Sequence, residues 1–221
     1  MATVLNEDDN PPCQLYLITP PSIRLDAFSD AFKAALDGGP IACLQLRLKG
    51  VSDADMLAAA DALMPLCADA DIAFIMNDRA DLAKTCGADA VHLGQSDGLV
   101  KEARDLLGFD TAIGVTCHGS KHLAMVAGEQ GADYVAFGAF FPSKTKDPPT
   151  IAEAEVLSWR ANLAELPSVA IGGITAQNCS PIVQAGADFL AVSHAVWAHA
   201  DGPAAAVGAF HRAIESALRS E

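Results

Sequence analysis

A chain of 221 residues fits one domain of moderate size, and a single α/β barrel falls within that range. Apolar residues make up 51% of it, enough for one large core and too many for a disordered chain. A net charge of −14 argues against nucleic acid or an anionic membrane surface as partner.

Residues 1–12 are acidic and lack an apolar segment, so they read as a polar arm rather than a secretory signal. No run approaches the roughly 18 apolar residues of a membrane span. Cys13, Cys43, Cys67, Cys86, Cys117 and Cys179 are scattered without paired metal-ligand spacing, and most read as small buried hydrophobes. A reducing cytoplasm is the expected location.

The first predicted strand is 15–19 (LYLIT), stopped by Pro20-Pro21. Leu25, Phe28, Phe32 and Leu36 recur at helical spacing over 25–36, ended by Gly38-Gly39. A strand at 41–46 carries Gln45 into Arg47 and Lys49. Ser52 or Asp53 then caps an Ala/Leu helix to about Cys67, with Pro65 marking its fraying end. The strand 72–76 ends on Asn77-Asp78, and 79–86 is a two-turn helix closed by Gly87. The strand 90–93 ends on Gly94-Gln95-Ser96-Asp97, before a helix at 99–107 stopped by Gly108.

The second half keeps this rhythm. The strand 112–115 leads into Thr116-Cys117-His118, and a helix at 121–129 is ended by Gly131. The strand 134–137 feeds the loop 138–150, too rich in Pro and Lys to be an element. A helix at 151–161, a strand at 168–171, a Gly172-Gly173 turn, a helix at 175–185 and a strand at 189–192 follow. An amphipathic helix at 203–218 ends the chain. Eight strand–helix pairs without a linker predict one (β/α)8 TIM barrel over 13–221. GADAVHLG, GADYVAFG and GADFLAVS share one design, a helix cap and turn feeding a buried strand.

In such a barrel, groups at the C-terminal strand ends share one mouth. Right-handed crossovers bring Asp78 and Asp97 to the same rim, where two carboxylates could hold Mg²⁺. Asp97 capping the next helix and Asp78 capping the short one is an equal alternative. Gln45, Arg47 and Lys49 point the same way if their strand stays extended, although Lys49 reads equally well as a solvated strand end. Asn77 joins them from the third strand. Thr116 is a possible hydroxyl donor or a mere β-former. Ser143, Thr145 and Lys146 lie on the long loop; a solvated lysine is ordinary there, but long loops are often functional.

Gly172-Gly173 and Val192-Ser193 end the seventh and eighth strands, where backbone N–H groups of barrels usually meet phosphate; a Gly-Gly is also a plain tight turn. His92, inside an apolar strand, reads as a satisfied core residue, and His118 as an acid–base candidate. The rim thus offers a diphosphate site (Arg47, Lys49 and Lys146 with Mg²⁺ on Asp78 and Asp97) and a monophosphate cup. Metal and cations would stabilise charge growing on a departing diphosphate. With no strong nucleophile evident, the second substrate supplies it, which suggests group transfer with loss of pyrophosphate.

The segments LYLIT, QLRLK (45–49), NDRADLA (77–83), GADAVHLGQSD (87–97), GADYVAFGAFFPSKTK (131–146) and AIGGIT (170–175) resemble the thiamine-phosphate synthase family from Leu15 to about Trp197. The resemblance implies a barrel that joins hydroxymethylpyrimidine diphosphate to a thiazole phosphate, giving thiamine phosphate and pyrophosphate. It implies that Gln45, Arg47, Lys49 and Asn77 bind the pyrimidine diphosphate and that Asp78 and Asp97 hold Mg²⁺. Thr145 and Lys146 would bind the departing pyrophosphate, with Ser143 at a position where the family more often has Thr, while Gly173, Val192 and Ser193 would hold the thiazole phosphate. Arg47, Thr116 and Lys146 are the catalytic candidates. A dissociative mechanism, small phosphorylated substrates and a possible homodimer are also implied. Leu48 and Pro20 replace usual acids, Thr116 replaces a usual Ser, and Asp147-Pro148-Pro149 is an unusual loop sequence. A thiazole tautomerase or a non-catalytic phosphate-ligand sensor are the alternatives.

Overall fold

Apolar runs of four to seven residues, buried on both faces, form parallel strands because no edge of them tolerates water. The strands are β1 (Gln14–Ile18), β2 (Cys43–Leu46), β3 (Ala73–Asn77), β4 (Ala90–Leu93), β5 (Ala112–His118), β6 (Tyr134–Phe137), β7 (Ser168–Ile171) and β8 (Phe189–Val192). In the computed structural model, which describes residues 13–142, 152–163 and 166–220, they pair in sequence order and β8 returns to β1, closing a barrel. Alternation sorts their side chains. Tyr16, Ile18, Cys43, Ile75, Ala136 and Val169 fill the interior, while Leu15, Leu17, Leu44, Leu46, Phe74 and Met76 pack outward into the larger core.

The surrounding helices are α1 (Leu25–Leu36), α2 (Asp53–Asp69), α3 (Ala80–Cys86), α4 (Val100–Leu107), α5 (Lys121–Glu129), α6 (Glu155–Leu163), α7 (Ser180–Gln184), α8 (His194–Trp197) and α9 (Gly202–Leu218). The barrel and the order of its strands match the sequence expectation. Several boundaries do not. Helix α2 runs through Pro65 to Asp69, with Leu63 and Cys67 buried on either side of the proline, so packing offsets its missing N–H. Helix α7 starts five residues late because Asn178 holds the preceding turn: its Oδ1 accepts from Thr175 N at 2.7 Å and its Nδ2 donates to Gly173 O at 3.0 Å. Helix α6 begins at Glu155 rather than 151. Strand β5 continues to His118 across a register break after Thr116, and α8 is a single turn too short for periodicity to reveal.

The three GAD segments acquire a common physical role at the N-terminal end of the barrel. Asp89, Asp133 and Asp188 sit just before β4, β6 and β8. They accept the backbone N–H of Phe74, Ile113 and Ser168 at 2.8, 2.7 and 2.7 Å. Each carboxylate therefore staples the start of the preceding odd strand. Arg104 of α4 pairs with Asp133, and Arg160 of α6 pairs with Asp188. All six cysteines are free, five of them buried, and burial pushes the Cys13, Cys67 and Cys117 thiols up to about 12.

Candidate active site

Asp78 directly follows β3, in the left-handed region at φ 64°, which Asp tolerates better than bulkier residues. Its N–H donates to His92 O at 2.8 Å, tying the turn to β4. Next along the chain, Arg79 forks onto Asp53 at 2.7 and 2.9 Å and onto Asp81 at 2.8 and 2.7 Å. Asp97 closes its own turn, Oδ2 accepting from Gly94 N at 3.1 Å. Neither carboxylate caps a helix: α3 and α4 start after Arg79 and Leu99, without a side-chain cap bond.

The two carboxyl groups meet instead. Burial first, then the negative charge and hydrogen bond of Asp97, raise the Asp78 pKa above the ordinary carboxylate value; Arg47 and Asn77 pull it down. Asp78 and Asp97 line a cleft of about 310 Å³ with Arg79, Asp81, Leu93 and Leu99. Among the described residues no third His, Cys, Asp or Glu joins them as a ligand group. This donor set fits Mg²⁺, which takes one or two carboxylates and completes its shell with water and phosphate oxygens.

A polar chain crosses the barrel interior beneath this pair. Gln45 Nε2 donates to Tyr16 Oη at 2.9 Å, and Tyr16 Oη lies 3.1 Å from Tyr134 Oη. Tyr134 Oη lies 3.1 Å from His92 Nδ1, and His92 Nε2 lies 2.8 Å from Thr116 Oγ1. The ring of Tyr134 occupies space that a β-carbon on Gly114 would invade, at 1.9 Å from Cζ. Burial, reinforced by the positive charge of Arg47, holds the His92 pKa down to about 4, against a smaller opposing effect of Asp97. The imidazole is neutral near pH 7. His92 is thus a satisfied residue, as expected, but it belongs to a network that includes Thr116.

Thr19, buried at the end of β1, links the two halves of the mouth. Its N–H donates to Gln45 O at 3.0 Å, its Oγ1 accepts from Arg47 N at 2.9 Å, and its carbonyl accepts from Ser193 Oγ at 3.4 Å. Trp197 of α8 donates its indole N–H to Ile18 O at 2.6 Å, holding the helix after Ser193 against the same strand end. At β7, Gly172 and Gly173 have φ of 103° and 63°. A β-carbon on Gly173 would lie 2.5 Å from Pro142 O, so the close approach of the chain after β6 requires glycine there whatever lies above it.

Gln45, Arg47, Asn77, Asp78, Asp97 and Thr116 gather at the ends of β2 to β5. Gly173, Val192 and Ser193 lie at β7 and β8, where the Val192 side chain packs into the outer core and leaves only its backbone to the mouth. Lys49 follows the second of its two readings, a solvated strand end: β2 stops at Leu46, the chain turns so that Lys49 N donates to Pro21 O at 2.9 Å, and its side chain is exposed. Alternation along an extended strand does not reach it. Ser143, Thr145 and Lys146, with Asp147, Pro148 and Pro149, lie outside the described residues. Tyr16, Tyr134 and Thr19 were missed by the sequence reading. The available signal was parity, because Tyr16 and Gln45 fall on the inward positions of neighbouring strands, and a buried phenol needs a partner.

Fold and mouth together place the chain among the (β/α)8 barrels that gather their polar groups at the C-terminal strand ends. A family model described as thiamine monophosphate synthase matches residues 15–196. A thiamine-phosphate synthase of Rhodospirillum centenum is 57% identical over 202 residues, covering 91% of this chain and 98% of that protein. One of Erythrobacter litoralis is 51% identical, covering 93% and 97%. The solved thiamine phosphate pyrophosphorylase of Pyrococcus furiosus superposes with a TM-score of 0.81 at 28% identity, covering 94% of this chain and 98% of that one. The chain belongs to the thiamine monophosphate synthase family.

Proposed function

We propose that this chain is a transferase that joins hydroxymethylpyrimidine diphosphate to a thiazole phosphate, releasing pyrophosphate and forming thiamine phosphate. The observation that carries the reading is Asp78 beside Asp97 at the mouth, with Arg47 close enough to lower the Asp78 pKa, in a chain 57% identical to a thiamine-phosphate synthase. Mg²⁺ bound by the two carboxylates would screen the charge of the diphosphate. Arg47, with Lys146 from the loop, stabilises negative charge as the methylene–oxygen bond breaks. Lys49 contributes from the solvent side. Gln45, Asn77 and Thr116 orient the pyrimidine half, and neutral His92 adds no positive charge against the cationic methylene. The thiazole nitrogen then forms the new C–N bond. Its phosphate rests on the backbone of Gly173, Val192 and Ser193, which holds the nitrogen in line with the methylene. Six unpaired thiols fit a cytoplasmic location, which the proposal includes.

Mixing both substrates with and without Mg²⁺ and measuring pyrophosphate tests the reading. Metal-dependent release is expected. Tight binding of phosphorylated ligand without release would favour the sensor, and metal-independent thiazole isomerisation would favour the tautomerase.

A further inference from the structure

The interior chain has a direction. In the orientation of the Gln45 amide, Nε2 faces Tyr16 Oη at 2.9 Å, and an amide nitrogen donates and cannot accept, so Tyr16 Oη is the acceptor. The proton of Tyr16 has no acceptor other than Tyr134 Oη among the described residues. Reversing that bond would strand a buried hydroxyl proton, which costs more than an ordinary hydrogen bond returns. Tyr134, accepting from Tyr16, must pass its own proton on to His92 Nδ1. A neutral imidazole that accepts at Nδ1 carries its proton on Nε2. That proton points at Thr116 Oγ1, 2.8 Å away. Thr116 Oγ1 has no further hydrogen-bond partner among the described residues.

We propose that Tyr16, Tyr134 and His92 are positioning residues. Through a one-way run of hydrogen bonds begun by the Gln45 amide, they hold His92 as its Nε2–H tautomer and leave the Thr116 hydroxyl to donate to an acceptor atom of the bound substrate. The proposal rests on the mouth being the substrate site, and it deepens that reading. It assigns to four interior side chains a purpose that packing alone does not need. A barrel interior can be filled with Ile, Val and Leu, whereas five linked polar groups earn their place only if the final proton is used.

The test reads the tautomer directly. In protein labelled with ¹⁵N-histidine, long-range ¹H–¹⁵N correlation spectra at pH 7, with His92 assigned through its contacts to Tyr134 and Thr116, should show protonated Nε2 and bare Nδ1. A protonated Nδ1 in the unmodified protein would overturn the proposal. Gln45→Met keeps the side-chain length but removes the donor that sets the direction, so both tautomers should appear; an undivided Nε2–H signal there would overturn the role of Gln45 as origin. In the pyrophosphate assay Thr116→Ser should keep turnover within about threefold, and Thr116→Val should lose about tenfold or more, the worth of one hydrogen bond to a ligand atom. Full turnover in Thr116→Val would overturn the donor role. Because the tautomer is read without substrate, the Nε2–H form in a protein that releases no pyrophosphate supports the chain while rejecting the transferase reading.

Discussion

The two ends of this barrel treat their carboxylates in opposite ways. At the N-terminal end, Asp133 and Asp188 each hold an arginine and a strand N–H at once, and Ser168 Oγ adds a further donor to Asp188 at 2.9 Å. At the C-terminal end, Asp78 and Asp97 face one another, and neither forms an ion pair among the described residues. One end spends its charges on stability. The other keeps them in mutual repulsion, a state that a folded chain tolerates where a cationic ligand will relieve it. This difference teaches where to look: an acid paired with its arginine is scaffold, and two facing acids without an ion pair are a site.

The largest expected effect lies at the mouth. Asp97→Ala should lower Mg²⁺-dependent pyrophosphate release by on the order of a hundredfold to a thousandfold, while the thermal unfolding midpoint stays within a few degrees. Unchanged turnover would remove the metal assignment. Changes at the other end should invert this pattern. Asp188→Ala leaves the guanidinium of Arg160, whose side chain is 10% exposed, without its counter-charge, and the N–H of Ser168 without its acceptor. A loss of roughly 2–4 kcal/mol in denaturant unfolding is expected, with the KM of the remaining folded enzyme unchanged. A variant that kept its stability but lost substrate affinity would break the division between the ends.

The same division governs what could be read from the sequence. Strand order and the barrel were legible because buried parallel strands leave unbroken apolar runs, and the cap glycines at 87, 131 and 186 leave turns between them. The carboxylates of the mouth were legible because Asn77-Asp78 and Gly94-Gln95-Ser96-Asp97 are polar stretches that directly follow two neighbouring apolar runs. The staples were visible as three copies of GAD, but not their role: nothing local says that Asp133 reaches back to Ile113 or that Arg104, 29 residues away, meets it. The links among Tyr16, His92 and Tyr134 were hidden for the same reason, since the partners of these side chains lie on five different strands. Lys49 had two readings, and the solvated strand end is the one observed, because the chain turns toward Pro21 after Leu46.

Gly114 joins the two concerns and should produce an intermediate effect. A methyl group there would overlap the Tyr134 ring by well over an ångström, displacing Tyr134 Oη from both Tyr16 and His92. Gly114→Ala should cost about 1–3 kcal/mol through overpacking and lower turnover by about tenfold through Thr116. Gly128→Ala, whose added carbon would meet only Leu166 Cδ1 at 3.1 Å, is the control, with turnover unchanged.

The smallest effect is the most discriminating, because its sign is opposite for stability and activity. Asp78→Asn keeps a side chain suited to φ 64° and removes one of two facing charges. The carboxyl of Asp78 holds its proton more tightly in the folded chain than in the unfolded one. Ionising it therefore costs the folded state, and metal-free stability from this group is lost as pH rises from the unfolded carboxylate value of 3.8 through the raised one. The asparagine variant has no such loss. Without metal it should unfold at a slightly higher temperature than the parent at pH 7, with the gap closing as the pH is lowered into that window. Mg²⁺ should stabilise the parent and not the variant, and parental Mg²⁺ affinity should weaken as protons compete below the raised value. A variant less stable than the metal-free parent at pH 7 would mean that the two carboxylates do not repel, and the contrast between the ends of the barrel would lose its physical basis.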